Sequence, residues 1–276
     1  MKLYTTENKL LYPSYSKTYT FKQTLEQAVA KRINLRKICL DGKDLSGAQL
    51  SGARMQYAWI RYADCMGTDF TEATLENAAC VGSNFTNAKL VGANCTEVMF
   101  MRFRRFDPTY NDYLYQPTRL AGADCRGSDF ENAKLVHAEC KGANFKNARL
   151  RYADCTGTDF TNSSLIEARC MNADFTNATL VNANCACADI TNATLVNANC
   201  TGANFIRTKL ISLDCKDCNF TGATFTNACI SGSRFVDCDF TDAKFDNVSI
   251  ADSEFINCIN APANSTSSQA VPQEVS

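Results

Sequence analysis

A chain of 276 residues with 28 basic and 29 acidic side chains, a net charge of −1 and 21% charged residues lacks the basic surplus of a nucleic-acid binder. Mean hydropathy is −0.24, no apolar run is long enough to span a bilayer, and the start, Met-Lys-Leu-Tyr-Thr-Thr-Glu, has no apolar signal core. The length could hold two globular domains, but a repeat array needs no such division.

Residues 2–21 alternate weakly through Leu3, Tyr4, Leu10, Leu11, Tyr12, Tyr19 and Phe21, which suits two or three short strands. A helix-like stretch follows from about Lys22 to Arg32, with Leu25, Ala28, Val29 and Ile33 on one face. Thr20 or Thr24, each with a glutamine three residues on, forms the capping-box pattern at its start. Residues 1–32 therefore read as a cap over whatever begins at residue 33.

From residue 33 every fifth residue is apolar, and two residues before these centres lies a small one, imperfectly at first, where Ile33 and Ile38 fill that position, and then regularly. One polar residue separates the small position from the centre, giving the in–out–in alternation of a strand. The remaining two residues must turn the chain. All thirteen glycines fall two positions after a centre, and asparagine often replaces them, as at Asn77, Asn87, Asn132, Asn147, Asn177 and Asn192. Both residues tolerate φ > 0, so one position in five is a corner.

Strand and corner in regular succession make a solenoid. At the far end, Cys218, Phe220, Phe225, Ile230 and Phe235 recur as Cys238, Phe240, Phe245, Ile250 and Phe255, a displacement of twenty residues. The middle of the chain offers a competing Cys–Phe–Leu period of fifteen, which suits a three-sided coil. Four sides are preferred because the twenty-residue match includes the small positions. Centres from 35 to 100 number 14 and those from 120 to 255 number 28, together 42 pentads. At four per coil and roughly 4.8 Å per layer, the rod is on the order of 50 Å long.

Runs such as Ala123-Asp124-Cys125-Arg126-Gly127 and Ala203-Asn204-Phe205 resemble the A-(D/N)-(L/F)-x-x signature of pentapeptide-repeat proteins. That resemblance covers about residues 33–258. It implies an all-β chain folded as a right-handed, four-sided (quadrilateral) parallel β-helix; the handedness comes from the resemblance alone.

The pattern breaks at residues 101–119, where the centre positions hold Arg105, Tyr110 and Tyr115 and Pro108 takes a small-residue position. This stretch reads as a loop thrown out of the rod between repeats 33–100 and 120–258. All five prolines (13, 108, 117, 262, 272) lie outside the repeats, as residues that cannot donate to a ladder should. The tail, 259–276, has almost no bulky apolar residue and is expected to be disordered. With no helix to cover the last coil, Phe255, Ile256 and Ile259 are expected to be partly exposed, which points to a homodimer through the C-terminal coil.

Chemistry is sparse. Ten of the sixteen cysteines occupy centres and three (218, 238, 258) occupy small positions, where a thiol is a small hydrophobe. So many thiols suit a reducing, cytoplasmic location. Cys215 and Cys218 form a C-x-x-C, but both point inward and no second pair completes a zinc site. The one histidine, His137, lies at an outward corner, and Trp59 also points outward. Asp64, Asp69, Asp124, Asp129, Asp154 and Asp159 fill the repeat's polar position. No phosphate loop, dinucleotide fingerprint or nucleophile elbow is present. The expectation is a chain that is not an enzyme, with no catalytic, metal or cofactor-binding residue, no cofactor, no membrane and no direct nucleic-acid contact.

The strongest functional candidates are Arg102, Arg104, Arg105, Phe106, Tyr110, Tyr113 and Tyr115 on the projecting loop. Arginine and tyrosine make binding hot spots, and function collects on loops held by a rigid scaffold. Charge is uneven: residues 1–120 hold 16 basic and 11 acidic side chains (+5), residues 121–276 hold 12 and 18 (−6), summing to −1. The expected function is a non-catalytic scaffold binding a protein partner through its faces and the 101–119 loop. The alternative follows from the resemblance: quinolone-resistance pentapeptide-repeat proteins mimic B-form DNA and bind the type II topoisomerase DNA gyrase.

Overall fold

The computed structural model describes residues 1–13, 18–107 and 112–262, with the side chains of 103–107 and 112–114 outside that set. Disorder expected of the tail falls, from residue 263 on, outside the described residues.

Strands β1 (Lys2–Tyr4) and β2 (Leu10–Pro13) pair antiparallel. They join the first coil through an antiparallel bridge, Thr5 to Ile38, and the bond from Cys39 N–H to the Tyr4 carbonyl at 3.0 Å. Helix α1 (Phe21–Ala30) opens on a capping box: Thr20 Oγ1 accepts from Gln23 N at 3.2 Å, and Gln23 Oε1 accepts from Thr20 N at 2.9 Å. Its Leu25 and Ala28 are buried in the same core as Leu35 and Ile38. Lys22 Nζ donates to the Ser46 carbonyl at 2.9 Å, fastening the outer side of the helix to the coil.

From residue 34 onward parallel bridges link residues twenty apart, as in Asn34–Arg54–Thr74 and Asp154–Asp174–Thr194. Twenty residues are four pentads, so each coil has four walls. Within one pentad, Leu165 N–H and Glu167 N–H donate to the coil ahead (Asn184 O at 2.7 Å, Ala186 O at 3.0 Å). Ser164 N–H donates to the coil behind (Ala143 O at 2.9 Å), and Ala168 N–H closes the corner onto Leu165 O at 3.0 Å. Backbone polar groups are thus satisfied coil to coil. Every corner has positive φ, including residues that carry a Cβ, such as Tyr57 (φ 60), His137 (φ 54) and Glu167 (φ 57).

The break after Phe100 leaves the register intact. Asn84 bridges Arg119 and Met99 bridges Lys134, each 35 apart, which is one coil of twenty plus an insertion of fifteen. The insertion is a hairpin, not an irregular loop: β3 (Phe103–Asp107) pairs antiparallel with β4 (Asp112–Gln116). The segments Phe-Arg-Arg-Phe and Tyr-Leu-Tyr carry the aromatic content that favours strands.

The two competing periods are both real. The coil is twenty residues, and a Cys–Phe–Leu cycle of fifteen is laid along it, so each wall steps through the cycle as it climbs. Phenylalanines consequently spiral up the core. From Phe70 through Phe85, Phe100, Phe130, Phe145 and Phe160 to Phe175, successive ring centroids lie 5.2–6.0 Å apart, mostly edge to face. Position 190, next in the spiral, is isoleucine, and an apolar cavity of about 10 Å³ lies beside it, bordered by Phe175, Leu180 and Phe205. Beyond it the rings stack directly, Phe235 on Phe255 at 4.8 Å and Phe220 on Phe240 at 5.0 Å. Parallel ladders lengthen there into strands β5 (Lys209–Ile211), β6 (Asp214–Lys216), β7 (Cys229–Ser231), β8 (Arg234–Val236) and β9 (Glu254–Ile256).

At the last coil Phe255 is buried, contrary to expectation, because it lies on Phe235 and meets Phe240 edge-on at 5.8 Å. Ile259 is exposed, and Phe245, Val248 and Ile250 are only partly covered.

Candidate protein-interaction surface

The hairpin is rooted firmly. Gln116 Nε2 donates to the Gly82 carbonyl at 2.8 Å, Thr118 Oγ1 donates to the Met101 carbonyl at 2.8 Å, and Thr118 Oγ1 accepts from Gly82 N at 2.9 Å. Just above the root, the guanidinium of Arg102 lies 4.8 Å from the ring centroid of Tyr115, half of which is exposed. These two candidate residues are brought together. Backbone register sets Arg104 opposite Tyr115, Arg105 opposite Leu114 and Phe106 opposite Tyr113. The side chains of Arg104, Arg105, Phe106 and Tyr113 lie outside the described set, and so does all of Tyr110.

The hairpin leaves from the wall whose outward column runs Cys39, Trp59, Ala79, Met99, Lys134, Asp154 and Asp174. Sequence reasoning placed Trp59 outward and went no further. Tyr57 and Tyr152 stand at one edge of this wall and Tyr62 at the other. Every exposed aromatic among the described residues of the repeats is on this wall or its edges. Writing the sequence in rows of twenty, shifted by fifteen after Phe100, would have shown the alignment. Arginines overlie the rings: Arg36 is 4.2 Å from Tyr57, Arg61 is 4.0 Å from Trp59 and Arg151 is 5.5 Å from Tyr152. Arg61 is also paired with Asp41, donating to Oδ2 through Nε at 3.0 Å.

The repeat's carboxylates are occupied structurally. Asp64, Asp69, Asp124, Asp129, Asp154 and Asp159 each accept, through Oδ1, the N–H two residues on, capping their own corners at 2.9–3.4 Å. Burial raises the Asp159 carboxyl, but bonds from Thr161 and the neighbouring Lys141 outweigh it and hold the group below the ordinary aspartate range. The centre cysteines are fully buried, and burial pushes the Cys185 thiol up to about 12. Such thiols are packing groups rather than nucleophiles. Cys215 and Cys218 both face inward and are buried. Among the described residues no His, Cys, Asp and Glu cluster could hold a metal, and no helix is long and apolar enough to cross a membrane.

No curated protein matches this chain. Among solved structures, HetL, a pentapeptide repeat protein involved in heterocyst differentiation regulation from Nostoc sp. strain PCC 7120, is 20% identical over 84% of this chain and 93% of its own, with a TM-score of 0.42. QnrB1, a plasmid-mediated fluoroquinolone resistance protein, is 18% identical over 71% of this chain and 81% of its own, with a TM-score of 0.30. The pentapeptide-repeat model matches residues 31–64, 63–98, 118–151, 153–184, 183–214, 198–242 and 218–255, and the chain belongs to the pentapeptide-repeat family.

Proposed function

We propose that this protein is a non-catalytic interaction scaffold, a rigid and right-handed rod that binds a protein partner through its walls and the 101–119 hairpin. In this reading residues 1–32 are the cap, 33–100 and 120–258 the rod, and Arg102, Arg104, Arg105, Phe106, Tyr110, Tyr113 and Tyr115 the contact residues. The supporting observation is the hairpin itself: fifteen inserted residues that disturb no coil register and are pinned to Gly82 and Met101 at their root. A packing defect would not be so neatly isolated. The rod's filled interior supports a role without catalysis, and its many packed thiols support a reducing, cytoplasmic setting.

Deleting Phe103–Pro117 removes fifteen residues and restores the twenty-residue spacing, so the rod should still fold. The expected result is loss of partner capture with an unchanged circular dichroism spectrum; capture that survives the deletion removes the hairpin from the reading.

A second reading, a DNA-mimicking modulator of DNA gyrase, draws support from the net charge of −6 over residues 121–276 and the stacked column Asp154–Asp174. A gyrase supercoiling assay with and without the protein separates the two. The half-covered Phe245 and Ile250 and the exposed Ile259 support end-to-end pairing of two copies. A monomer mass at all concentrations in sedimentation would end that part of the proposal.

A further inference from the structure

One wall of four carries the exposed aromatic residues of the rod, and that asymmetry has no packing cause. The core needs only the inward positions, and elsewhere on this wall the outward ones are polar, as in Asp154, Asp174 and Asp214. Around Trp59 the wall is different. Its floor is Ala79, Val81, Met99, Met101 and Val136, all buried or half-buried. Tyr57, Trp59 and Tyr62, each 37–39% exposed, border that floor.

Cations border this apolar strip: Arg36 and Arg151 lie over tyrosine rings at its edge, Arg102 stands at the hairpin root, and Arg54 lies one wall back, while Glu97 is the exposed acid in the column between Tyr57 and Tyr152. None of the four arginines forms an ion pair among the described residues; elsewhere on the rod Arg126, Arg149 and Arg234 are paired with carboxylates, and Arg169 and Arg207 are not.

From these observations we infer that the Trp59 wall is a recognition face for an acidic polypeptide segment, extended along the rod, with apolar side chains entering the strip and carboxylates meeting the arginines. The inference rests on the scaffold reading and names the chemistry of its partner. Tyr57 to Tyr152 spans four coil steps, about 19 Å, the length of about six extended residues. Tryptophan, tyrosine and arginine are the residues that dominate interface energy. Single-stranded nucleic acid fits less well. One face of the Tyr57, Trp59 and Tyr152 rings is already taken by a guanidinium, leaving less for base stacking. The same column holds Asp154 at the level of Tyr152 and Asp174 one coil beyond, so a long polyanion meets more carboxylates than a short segment that ends at Tyr152.

Trp59 is the only tryptophan of the chain, so its fluorescence reports from the Tyr57 end of the face. The full chain is titrated with a short peptide alternating glutamate and leucine, with a lysine–leucine peptide, and with a short oligothymidylate. A saturable change is expected with the glutamate–leucine peptide alone, weakened roughly tenfold or more in the double variant Arg36→Glu, Arg54→Glu. Circular dichroism checks that the variant is folded, and calorimetric titration of Trp59→Phe, expected to bind several-fold more weakly, provides a second variant. Silence with the acidic peptide, an equal response to the lysine peptide, or tighter binding of oligothymidylate overturns the inference. Deleting 103–117 should change the peptide's affinity by less than about threefold. A failed hairpin reading therefore appears in partner capture, and a failed wall appears at Trp59.

Discussion

The imidazole of His137 lies over Gly157, the corner residue of the adjoining coil, in the space that a Cβ on residue 157 would fill. Gly157 has φ +64, so two constraints act at one position: a left-handed backbone and a ring packed against it. Gly157→Ala should destabilise the rod by about 2 kcal/mol, combining the left-handed penalty with displacement of the ring. Chemical denaturation measures it. In the His137→Gly background, which empties the space that Asn87 and Asn182 fill over Gly122 and Gly202, the same substitution should cost only the backbone part, about 1 kcal/mol. Equal losses in both backgrounds would show that the ring plays no part.

The same histidine makes stability depend on pH. Burial lowers its pKa first and the positive charge of Arg102 next, against a smaller opposing effect of the Gly157 backbone and Asp154. The folded protein therefore holds His137 neutral at a pH where the unfolded chain, near 6.5, has begun to protonate. A folded pKa below the unfolded one means this stability is fully present above about pH 6.5 and is lost as pH falls through the folded value. Unfolding free energies measured from about pH 7.5 to 5 should decline, and His137→Asn should flatten that decline. A second fall is expected only near and below pH 3.8, where Asp69, Asp124, Asp159 and Asp189, all held below that value, become protonated.

Two neighbouring small positions differ in one hydrogen bond. Thr158 is fully buried and its Oγ1 donates to the Leu135 carbonyl at 2.6 Å. Thr208 and Ser233 make the equivalent bond to the coil below, to Cys185 and Leu210. Ser163, one pentad on from Thr158, is just as buried, but its hydroxyl has no partner. A buried hydroxyl without a partner costs about 1–3 kcal/mol. Ser163→Ala should therefore stabilise the rod by about 1 kcal/mol, while Thr158→Ala should destabilise it by at least as much. Thermal unfolding of the two single variants gives opposite shifts if the bond is the cause, and shifts of one sign if cavity size governs.

The fold was far more legible in the sequence than the surface was. A β-helix repeats the same environment forty-two times, so the requirements for an inward small residue, an inward apolar centre and a left-handed corner show through any local exception, even Glu167 or His137 at a corner. The interior cysteines were readable for the same reason. The walls are different, because an outward residue is constrained only by its neighbours one coil away. Trp59 and Met99 are forty residues apart in sequence and two coils apart in space, and the fifteen-residue insertion hides the alignment of Tyr57 with Tyr152. The hairpin was missed because its two strands pair with each other and owe nothing to the period of five.

Position 190 is where the core departs from its own rule, and the repeat supplies the control. Phe130 lies on the same wall three coils earlier, with Cys95 on one side along the wall and Leu150 on the other. Ile190 lies between Cys170 and Leu210. The chain neighbours also match: Cys125 and Leu135 flank Phe130 as Cys185 and Leu195 flank Ile190. Phe130 meets Phe145 and Phe100 at 5.5 and 6.0 Å, whereas the diagonal from Phe175 to Phe205 is interrupted and an apolar cavity of about 10 Å³ remains. A phenylalanine at 190 would enter surroundings that already accept one at 130, without forcing a new rotamer on its neighbours. Ile190→Phe should therefore raise stability by roughly 1 kcal/mol, and Phe130→Ile should lower it by a similar amount, both read from the urea midpoint. If Ile190→Phe is destabilising, the two positions are not equivalent and the void reflects a local narrowing of the coil rather than a missing ring.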